Sequence, residues 1–431
     1  MNGQISDFPL KRFAEFLDQR RNAHVDFLRR LIQTDTTVIG HGWDGGNEAA
    51  GQRLVRERLA ALGCEIDEFI PDNDRLAKYR DAEGNLGHIY DNRPIVVGTY
   101  RGGNGRSLIL NGHIDTMPVD SPEQWRCNPF GAEVVDGRVY GRGACDMKGG
   151  LAAAIMAVEA LVEFGIEPKG NVIIQSVVDE EGGGNGTLAV CDRGYRADAA
   201  IITEPTNLEV RPAGMGFLLF EVTTSGRALH SSLKWQGVNA IEKAIKLIES
   251  LQELEHRWMM TRRHLLLPPP TINLGVIEGG SASSTVPDRC TFKICLHYLP
   301  TDDPDGFGTQ VEQEIVDTLM QTSRGDGWLS DNPPVIRKYQ AGAGFETSVD
   351  HPLVNIITEA FSEISGQRAA VTGCGFGCDA RHVNKIAGTP TVVFGPGDPS
   401  AAHSVNEVLP LDQYFRAIEV LAMTIYRWTR S

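Results

Sequence analysis

Two side chains suited to metal chemistry stand close together in the first third of the chain. The apolar run at residues 108–110 leads to His113, and Asp115 follows two residues later. A histidine can bind a metal ion through one ring nitrogen, and a nearby carboxylate can orient the ring through the other nitrogen or tune it from beneath. Because His-x-Asp pairs are common, this pair gains meaning only from other candidate ligands along the chain.

Four apolar, β-branched runs each end at or before a side chain that can bind a metal ion. In open α/β sheets, ligands bind beyond the carboxyl ends of the strands. A glycine-rich loop ahead of a helical pattern adds the carboxylate of Asp146. The four runs occupy residues 108–110, 172–178, 199–203 and 389–394, and the side chains that follow them are His113, Glu180 with Glu181, Glu204, and His403. The pattern predicts one shared site at the sheet edge.

The candidate ligands number two imidazoles and three carboxylates, whereas one open catalytic zinc usually takes three protein ligands. The set suits two metal ions if one carboxylate bridges them, and Asp146 can stand between an ion on His113 and an ion on His403. Mixed nitrogen and oxygen ligands favour zinc, with cobalt or manganese as substitutes. Two such ions can share a hydroxide and polarise a carbonyl group. The five ligands are His113, Asp146, Glu181, Glu204 and His403.

Two further side chains are candidates for proton transfer and charge stabilisation. Adjacent side chains in an extended segment point to opposite sides, so Glu181 as a ligand leaves Glu180 as a general base. His230 lies in a predicted loop, where an exposed histidine without a catalytic role is the simpler interpretation. It is a candidate because a hydrolase needs an oxyanion donor and no other side chain nearby supplies one.

Composition excludes several functional classes for this chain of 431 residues. The net charge of −15 at pH 7 argues against a nucleic-acid or anionic-membrane partner. No apolar stretch has the length of a membrane span, and residues 1–16 lack the apolar core of a signal peptide. The eight scattered cysteines lack metal-binding spacing and predict free thiols in a reducing cytoplasm.

Alternating strand and helix patterns predict an α/β fold with a doubly wound, mainly parallel sheet. After Glu204 the pattern changes to strand, helix, two strands and helix, which is typical of a small α+β sandwich. His403 must return to the site, so residues 212–334 are predicted to be an inserted domain. Residues 1–211 and 335–431 then form a discontinuous catalytic domain.

Seven segments resemble the di-metal amidohydrolase and peptidase family. This family includes acetylornithine deacetylase, succinyl-diaminopimelate desuccinylase, aminoacylase and carboxypeptidase G. The resemblance runs from about residue 20 to the end, with the motifs in the family's order. The segments are GHIDTMPVD, YGRGACDMKGG, DEEGGGNGT, TEPT, GRALHSS, NLGVIEGGSASSTVPD and AHSVNE.

The resemblance implies a role for each candidate. The five ligand positions match, with Asp146 bridging two zinc ions, Asp115 behind the histidine ligand and Glu180 as the general base. His230 matches a histidine of the inserted lid domain that stabilises the tetrahedral intermediate in its own or the partner subunit's site. The bond between Asp146 and Met147 is expected to be cis. A homodimer through the inserted domain is also expected.

The substrate contacts rest on two residues. Asn273 and Arg381 fall where family members contact a substrate carboxylate, and arginine suits a bidentate grip. The simpler alternatives are a turn asparagine and a surface ion pair. The segment around Arg381, GCGFGCDARHV, resembles the desuccinylase pattern more than the acetylornithine deacetylase pattern. Cys374 and Cys378 depart from it, since desuccinylases carry small residues there.

These observations predict a metal-dependent hydrolase that cleaves the amide bond of an N-acyl amino acid or a related small N-acyl amine. Metal-bound hydroxide attacks the acyl carbon, and Glu180 moves the proton. A dipeptidase or carboxypeptidase, and a deformylase of an N-formyl pyrimidine amine, are alternatives on the same site. A catalytically inactive metal-binding dimerisation protein is the alternative of another class, but every catalytic position is filled.

Overall fold

The structure is a computed structural model that describes residues 8–79, 87–304 and 306–431. Residues 1–7 lie outside the described residues, and so does that part of the prediction that residues 1–16 lack the apolar core of a signal peptide. Its helices, in chain order, are α1 Leu10–Gln19, α2 Arg21–Gln33, α3 Ala49–Ala61, α4 Asn73–Leu76, α5 Gly149–Glu163, α6 Asn185–Asp192, α7 Ala240–Thr261, α8 Thr309–Arg324, α9 Pro352–Ser365, α10 Ala380–Lys385 and α11 Leu411–Trp428.

The strands form three sheets, of which the largest has nine strands and the others four and three. In chain order they are β1 Glu65–Phe69, β2 Ile95–Tyr100, β3 Leu108–His113, β4 Glu133–Val135, β5 Arg138–Tyr140, β6 Val172–Val177, β7 Ala199–Ile202, β8 Val210–Gly214, β9 Gly216–Ser225, β10 Thr271–Gly279, β11 Arg289–Tyr298, β12 Val335–Gly342, β13 Phe345–Glu346, β14 Val371–Cys374, β15 Thr391–Val393 and β16 Val408–Pro410.

The large sheet runs in the order β1-β2-β6-β3-β7-β15-β8-β13, with β14 paired to β8. Its centre is parallel, because β3 pairs with β6 and β7, and β7 pairs with β15, all in the same direction. The outer pairs of β1 with β2 and of β2 with β6 are antiparallel. The predicted α/β class with a mainly parallel sheet is confirmed, and β6, β3, β7 and β15 end side by side.

Helix α5 is apolar except for Glu159 and Glu163 and is buried along nearly its whole length, as expected for a helix inside the core. It packs against α11 and the large sheet. Gly150 lies where a Cβ atom would come within 1.7 Å of the Thr203 carbonyl oxygen. A glycine therefore lets the start of α5 approach the chain just beyond β7, close to Glu204.

The small sheet has the antiparallel order β10-β11-β9-β12 and packs against α7 and α8 around its own hydrophobic core. Strand β9 alternates buried and partly exposed residues, as a sheet with one covered face requires. Strand β12 lies beyond the predicted end of the insertion at residue 334, yet it pairs with β9 over most of its length. We therefore propose that the inserted domain extends to residue 342.

Some elements lie where the sequence predicted none. Helix α6 begins five residues after Glu180, in a segment for which the sequence analysis predicts no helix. Strand β8 joins the large sheet just before the insertion, and α4 lies in a stretch with no clear pattern. Within the described ranges, no helix has both the length and the apolar character needed to cross a membrane.

Candidate metal centre

The candidate ligands gather at one edge of the large sheet. His113 is the last residue of β3, and Glu180 and Glu181 lie three and four residues after the end of β6. Glu204 lies two residues after β7, and His403 is in the loop after β15. These four strands are neighbours with their carboxyl ends together. The topology therefore brings distant parts of the sequence to one place.

One group of possible metal ligands contains His113, Asp146 and Glu204. The Nε2 atom of His113 lies 3.0 Å from Oδ1 of Asp146 and 3.7 Å from Oε1 of Glu204. The ligand atoms of all three residues lie within 4.8 Å of one another. His113 and Glu204 are buried, and Asp146 is partly buried. This spacing suits three donors around one ion.

A second group contains Asp146, Glu181 and His403, whose ligand atoms also lie within 4.8 Å of one another. The Nε2 atom of His403 lies 2.9 Å from Oε2 of Glu181 and 3.3 Å from Oδ2 of Asp146. Asp146 thus uses one carboxylate oxygen toward each histidine. That arrangement suits a carboxylate shared between two ions.

The two adjacent glutamates have different surroundings. Glu181 belongs to the second ligand group, whereas Glu180 belongs to neither. Oε2 of Glu180 lies 3.9 Å from Nε2 of His113, so its carboxylate faces the cluster from the side. Its side chain keeps 15% exposure, which leaves it reachable by water. The geometry supports one ligand and one free base.

Asp115 acts on the cluster in a way that the sequence did not specify. Its backbone carbonyl oxygen lies 2.9 Å from Nδ1 of His113, whereas its carboxylate Oδ1 is 3.6 Å from that nitrogen. The other carboxylate oxygen, Oδ2, accepts the backbone N–H of Glu181 at 3.1 Å. Asp115 therefore orients the ring through its main chain and fixes the start of the Glu181 segment through its side chain.

The pKa values describe a crowded, buried acidic site. Burial raises the pKa of Glu180 well above its usual value, and neighbouring carboxylates raise it further. Burial and Asp146 raise the pKa of Glu204 in the same way. Hydrogen bonds to Asp146 and Glu181 raise the pKa of His403 to about 10.

Burial alone lowers the pKa of His113, but the hydrogen bond to Asp146 and the charges of Glu204 and Asp115 raise it well above its usual value. Buried carboxylates that repel one another need a compensating positive charge. The imidazoles supply it only when protonated, and metal ions supply it without protons. The donor set and its charge therefore fit divalent metal ions.

The peptide bond between Asp146 and Met147 is cis, as the resemblance implies. His403 and Asp179 have φ values of +58° and +66°, in the left-handed region that non-glycine residues rarely adopt. Both belong to loops that face the cluster.

A buried network behind Glu180 was missed by the sequence reasoning. Asp179 is fully buried and accepts hydrogen bonds from Tyr90 at 2.8 Å and from Arg93 at 3.0 Å. Nδ1 of His88 lies 2.9 Å from the same carboxylate, and Arg93 also donates to Glu48 at 2.7 Å. The first acid of the Asp-Glu-Glu triplet was the available signal, but His88, Tyr90 and Arg93 lie within residues 71–94, where the sequence shows no regular pattern.

His230 and Asn273 are not brought to the ligand cluster in the part of the chain that the structure describes. Both belong to the small-sheet unit and are exposed. Nδ1 of His230 lies 2.8 Å from the Ser232 hydroxyl oxygen, and Asn273 lies on β10, at the edge of its sheet. Their substrate and oxyanion roles remain predictions.

Arg381 lies closer to the site but is only 4% exposed. Its guanidinium donates to the Gly183 carbonyl oxygen at 2.7 Å and to the Cys378 carbonyl oxygen at 2.9 Å. It also lies 5.8 Å from the centre of the Phe217 ring. These bonds hold the loop that follows Glu180 and Glu181. The predicted grip on a substrate carboxylate stays a prediction.

Residues 109–427 match the family described as peptidase family M20/M25/M40. The chain is 33% identical over 433 residues to a protein of Halalkalibacterium halodurans named N-formyl-4-amino-5-aminomethyl-2-methylpyrimidine deformylase, covering 94% of this chain and 96% of the relative. It is 33% identical over 333 residues to an acetylornithine deacetylase of Myxococcus xanthus, covering 75% and 80%.

Among solved structures, the fold is similar to that of the aminopeptidase PepT from Bacillus cereus. The TM-score is 0.73, with 20% sequence identity, covering 94% of this chain and 98% of that one. At this identity the likeness concerns the fold alone. It covers both the large sheet and the inserted small-sheet unit.

Proposed function

The chain belongs to the peptidase family M20/M25/M40 and is a hydrolase of amide bonds, and from this premise we propose that its substrate is an N-formylated aminomethylpyrimidine. The observation that carries the proposal is the extent of similarity. Two relatives named as deformylases are 33% identical over 94% and 92% of this chain. Relatives named as acetylornithine deacetylases are either 33% identical over 75% of the chain or 28% identical over 90% of it. The products would be formate and the free aminomethylpyrimidine.

The proposed metal ligands are His113, Asp146 and Glu204 for one ion, and Asp146, Glu181 and His403 for the other. The spacing within each group and the shared Asp146 carboxylate support this assignment. Zinc suits the mixed nitrogen and oxygen donors, with cobalt or manganese as substitutes. When bound, the ions supply Lewis acidity that polarises the formyl carbonyl and lowers the pKa of water.

Glu180 is the proposed general base. Its carboxylate takes one proton from the attacking water, whose oxygen forms the new bond to the formyl carbon. It then delivers that proton to the nitrogen as the C–N bond breaks, which gives formic acid and the neutral amine. Formic acid passes its remaining proton to the amine or to solvent and leaves as formate. The raised pKa of Glu180 brings its proton affinity nearer to that of the groups between which it moves the proton.

We also propose that the chain forms a homodimer through the small-sheet unit. Strand β10 is an edge strand, and the side chains of Leu274, Val276 and Ile277 on it are 39%, 40% and 48% exposed. Pairing of this edge with a second copy would cover them. His230 and Asn273 lie in the same unit, so a partner could present them to the site. Light scattering that shows only monomer would contradict this proposal.

A cytoplasmic location remains part of the proposal. All eight cysteines are free thiols, and six of them are buried. Free thiols of this kind are typical of a reducing compartment.

The experiment that tests the substrate compares three amides at equal concentration: the N-formyl aminomethylpyrimidine, N-acetylornithine and a dipeptide. We expect formate release from the first to exceed amine release from the others by at least about tenfold, because pocket contacts worth about 1.4 kcal/mol give a tenfold preference. A larger rate with N-acetylornithine would favour the deacetylase instead.

A further inference from the structure

We propose that Glu407 is a positioning residue for the metal centre, which locks the loop that carries Asp146 to the loop that carries His403. The proposal rests on the metal ligands proposed above. Glu407 lies four residues after His403, and its side chain is fully buried. The sequence showed it only as the last letter of the segment AHSVNE.

The Glu407 carboxylate accepts four hydrogen bonds. Oε1 accepts the backbone N–H groups of Cys145 at 2.9 Å and Asp146 at 3.0 Å. Oε2 accepts the backbone N–H of Gly143 at 3.1 Å and Nη1 of Arg142 at 2.8 Å. The loop from residue 142 to residue 146 therefore wraps around a single carboxylate. One of the four bonds comes from the backbone of Asp146, the ligand shared by both groups.

The connection continues in both directions along the chain. The backbone carbonyl of Glu407 accepts the N–H of Gly141 at 3.0 Å, and β16, which follows immediately, pairs with β5. Arg142 also donates to the carbonyl oxygen of Pro118, in the loop that follows His113 and Asp115. Three ligand-bearing loops thus meet at the Glu407 and Arg142 pair.

A carboxylate fits this position for a physical reason. All four groups around it are donors, and a carboxylate offers acceptors only. A glutamine of the same size would turn its NH₂ group toward backbone N–H groups that also donate. Those donors would lose their partners in a buried place, where an unsatisfied polar group is costly. The loop would shift to relieve this, and Asp146 would move with it.

The consequence concerns metal affinity rather than the chemical step. Asp146 contributes to both ligand groups, so a displaced Asp146 weakens both ions. The ion held by Asp146, Glu181 and His403 is expected to weaken more, because Glu407 fixes two of its three ligands. Residues that orient metal ligands typically change metal affinity by about 10- to 100-fold when they are mutated.

The test titrates metal-free protein with Zn²⁺ in competition with a chromophoric chelator. The variant is Glu407→Gln, and the matched control is Glu159→Gln, a buried glutamate on α5 that pairs with Arg58, with Nε to Oε2 at 2.6 Å. We expect Glu407→Gln to raise the dissociation constant of the weaker Zn²⁺ at least about tenfold. Glu159→Gln should keep both constants at the wild-type values.

Wild-type affinity for both ions in folded Glu407→Gln would overturn the proposal, and so would an equal loss in Glu159→Gln. If Glu407→Gln does not fold, Glu407→Asp takes its place, because it keeps the charge and draws the oxygens back by one methylene. Unchanged Zn²⁺ affinity in that variant would equally overturn it. Wild-type protein that binds fewer than two Zn²⁺ would instead remove the proposed metal centre, on which this inference depends.

Discussion

Replacing Glu180 with glutamine tests the division of labour between two neighbouring residues. The substitution keeps the size of the side chain and removes its ability to accept a proton. General bases contribute about 10²- to 10⁴-fold to rate. Among the other carboxylates near His113, those of Asp146 and Glu204 are proposed ligands, and that of Asp115 accepts the backbone N–H of Glu181. None of them is therefore expected to replace Glu180 as the base. We therefore expect a loss of at least about 10³-fold in kcat, or about 4 kcal/mol in the barrier.

The assay measures kcat for formate release together with the zinc content of the same sample. Glu180→Gln should hold two zinc ions per chain, because Glu180 lies outside both ligand groups. Glu181→Gln is the matched control, since it makes the same chemical change one residue later. It should lose the ion next to His403, whose Nε2 lies 2.9 Å from Oε2 of Glu181.

Two results would refute the reasoning. If Glu180→Gln keeps more than about one-tenth of the wild-type kcat, then Glu180 does not supply general-base catalysis of the usual size. If Glu180→Gln loses zinc while Glu181→Gln retains it, the roles of the two glutamates are reversed.

Three further predictions concern metal binding, packing and acid stability. His403→Ala should bind one zinc ion tightly and one weakly, as measured by equilibrium dialysis, and two tight ions would exclude His403 as a ligand. Gly150→Val should lower the free energy of unfolding by more than about 3 kcal/mol, because its Cβ would lie 1.7 Å from a carbonyl oxygen. Gly327→Ala, which meets no atom within 4 Å, is the control, and equal denaturation midpoints would contradict the clash. Burial lowers the pKa of His24 to about 4, so its neutral form stabilises the fold above the unfolded pKa of about 6.5, and this contribution is lost as the pH falls toward 4. Between pH 7 and pH 5, the free energy of unfolding of His24→Phe, measured in urea, should therefore fall by about 2 kcal/mol less than that of the wild type. Equal decreases in the two proteins would contradict this prediction.

The sequence predicted the large sheet well because its central strands are short apolar runs with clear ends. The residues that follow these strand ends include His113, Glu181, Glu204 and His403, so their gathering at one edge of the sheet could be predicted from the sequence. What joins them is the parallel order of β6, β3, β7 and β15. The alternation of strands and helices predicted the parallel direction of these strands, whereas their order in the sheet is known only from the structure.

Other features depend on contacts that no local pattern records. Glu407 and Arg142 are 265 residues apart, and Asp179 and Arg93 are 86 apart. Their roles arise only when the fold brings buried donors around one carboxylate. The predicted insertion ends at residue 334, before β12, because the pairing of β12 with the distant β9 leaves no local signal in the sequence. Arg381 matches a motif position, but its hydrogen bonds to the carbonyl oxygens of Gly183 and Cys378 could not be predicted from the motif.

The most direct measurement of the central claim is formate release from the N-formyl aminomethylpyrimidine by purified protein of known metal content. We expect turnover in protein with two zinc ions per chain, loss of turnover after dialysis against a chelator, and recovery when Zn²⁺ is added back. Absence of formate from the two-zinc protein would contradict the proposed substrate. Turnover that survives removal of the metal would contradict the metal centre itself.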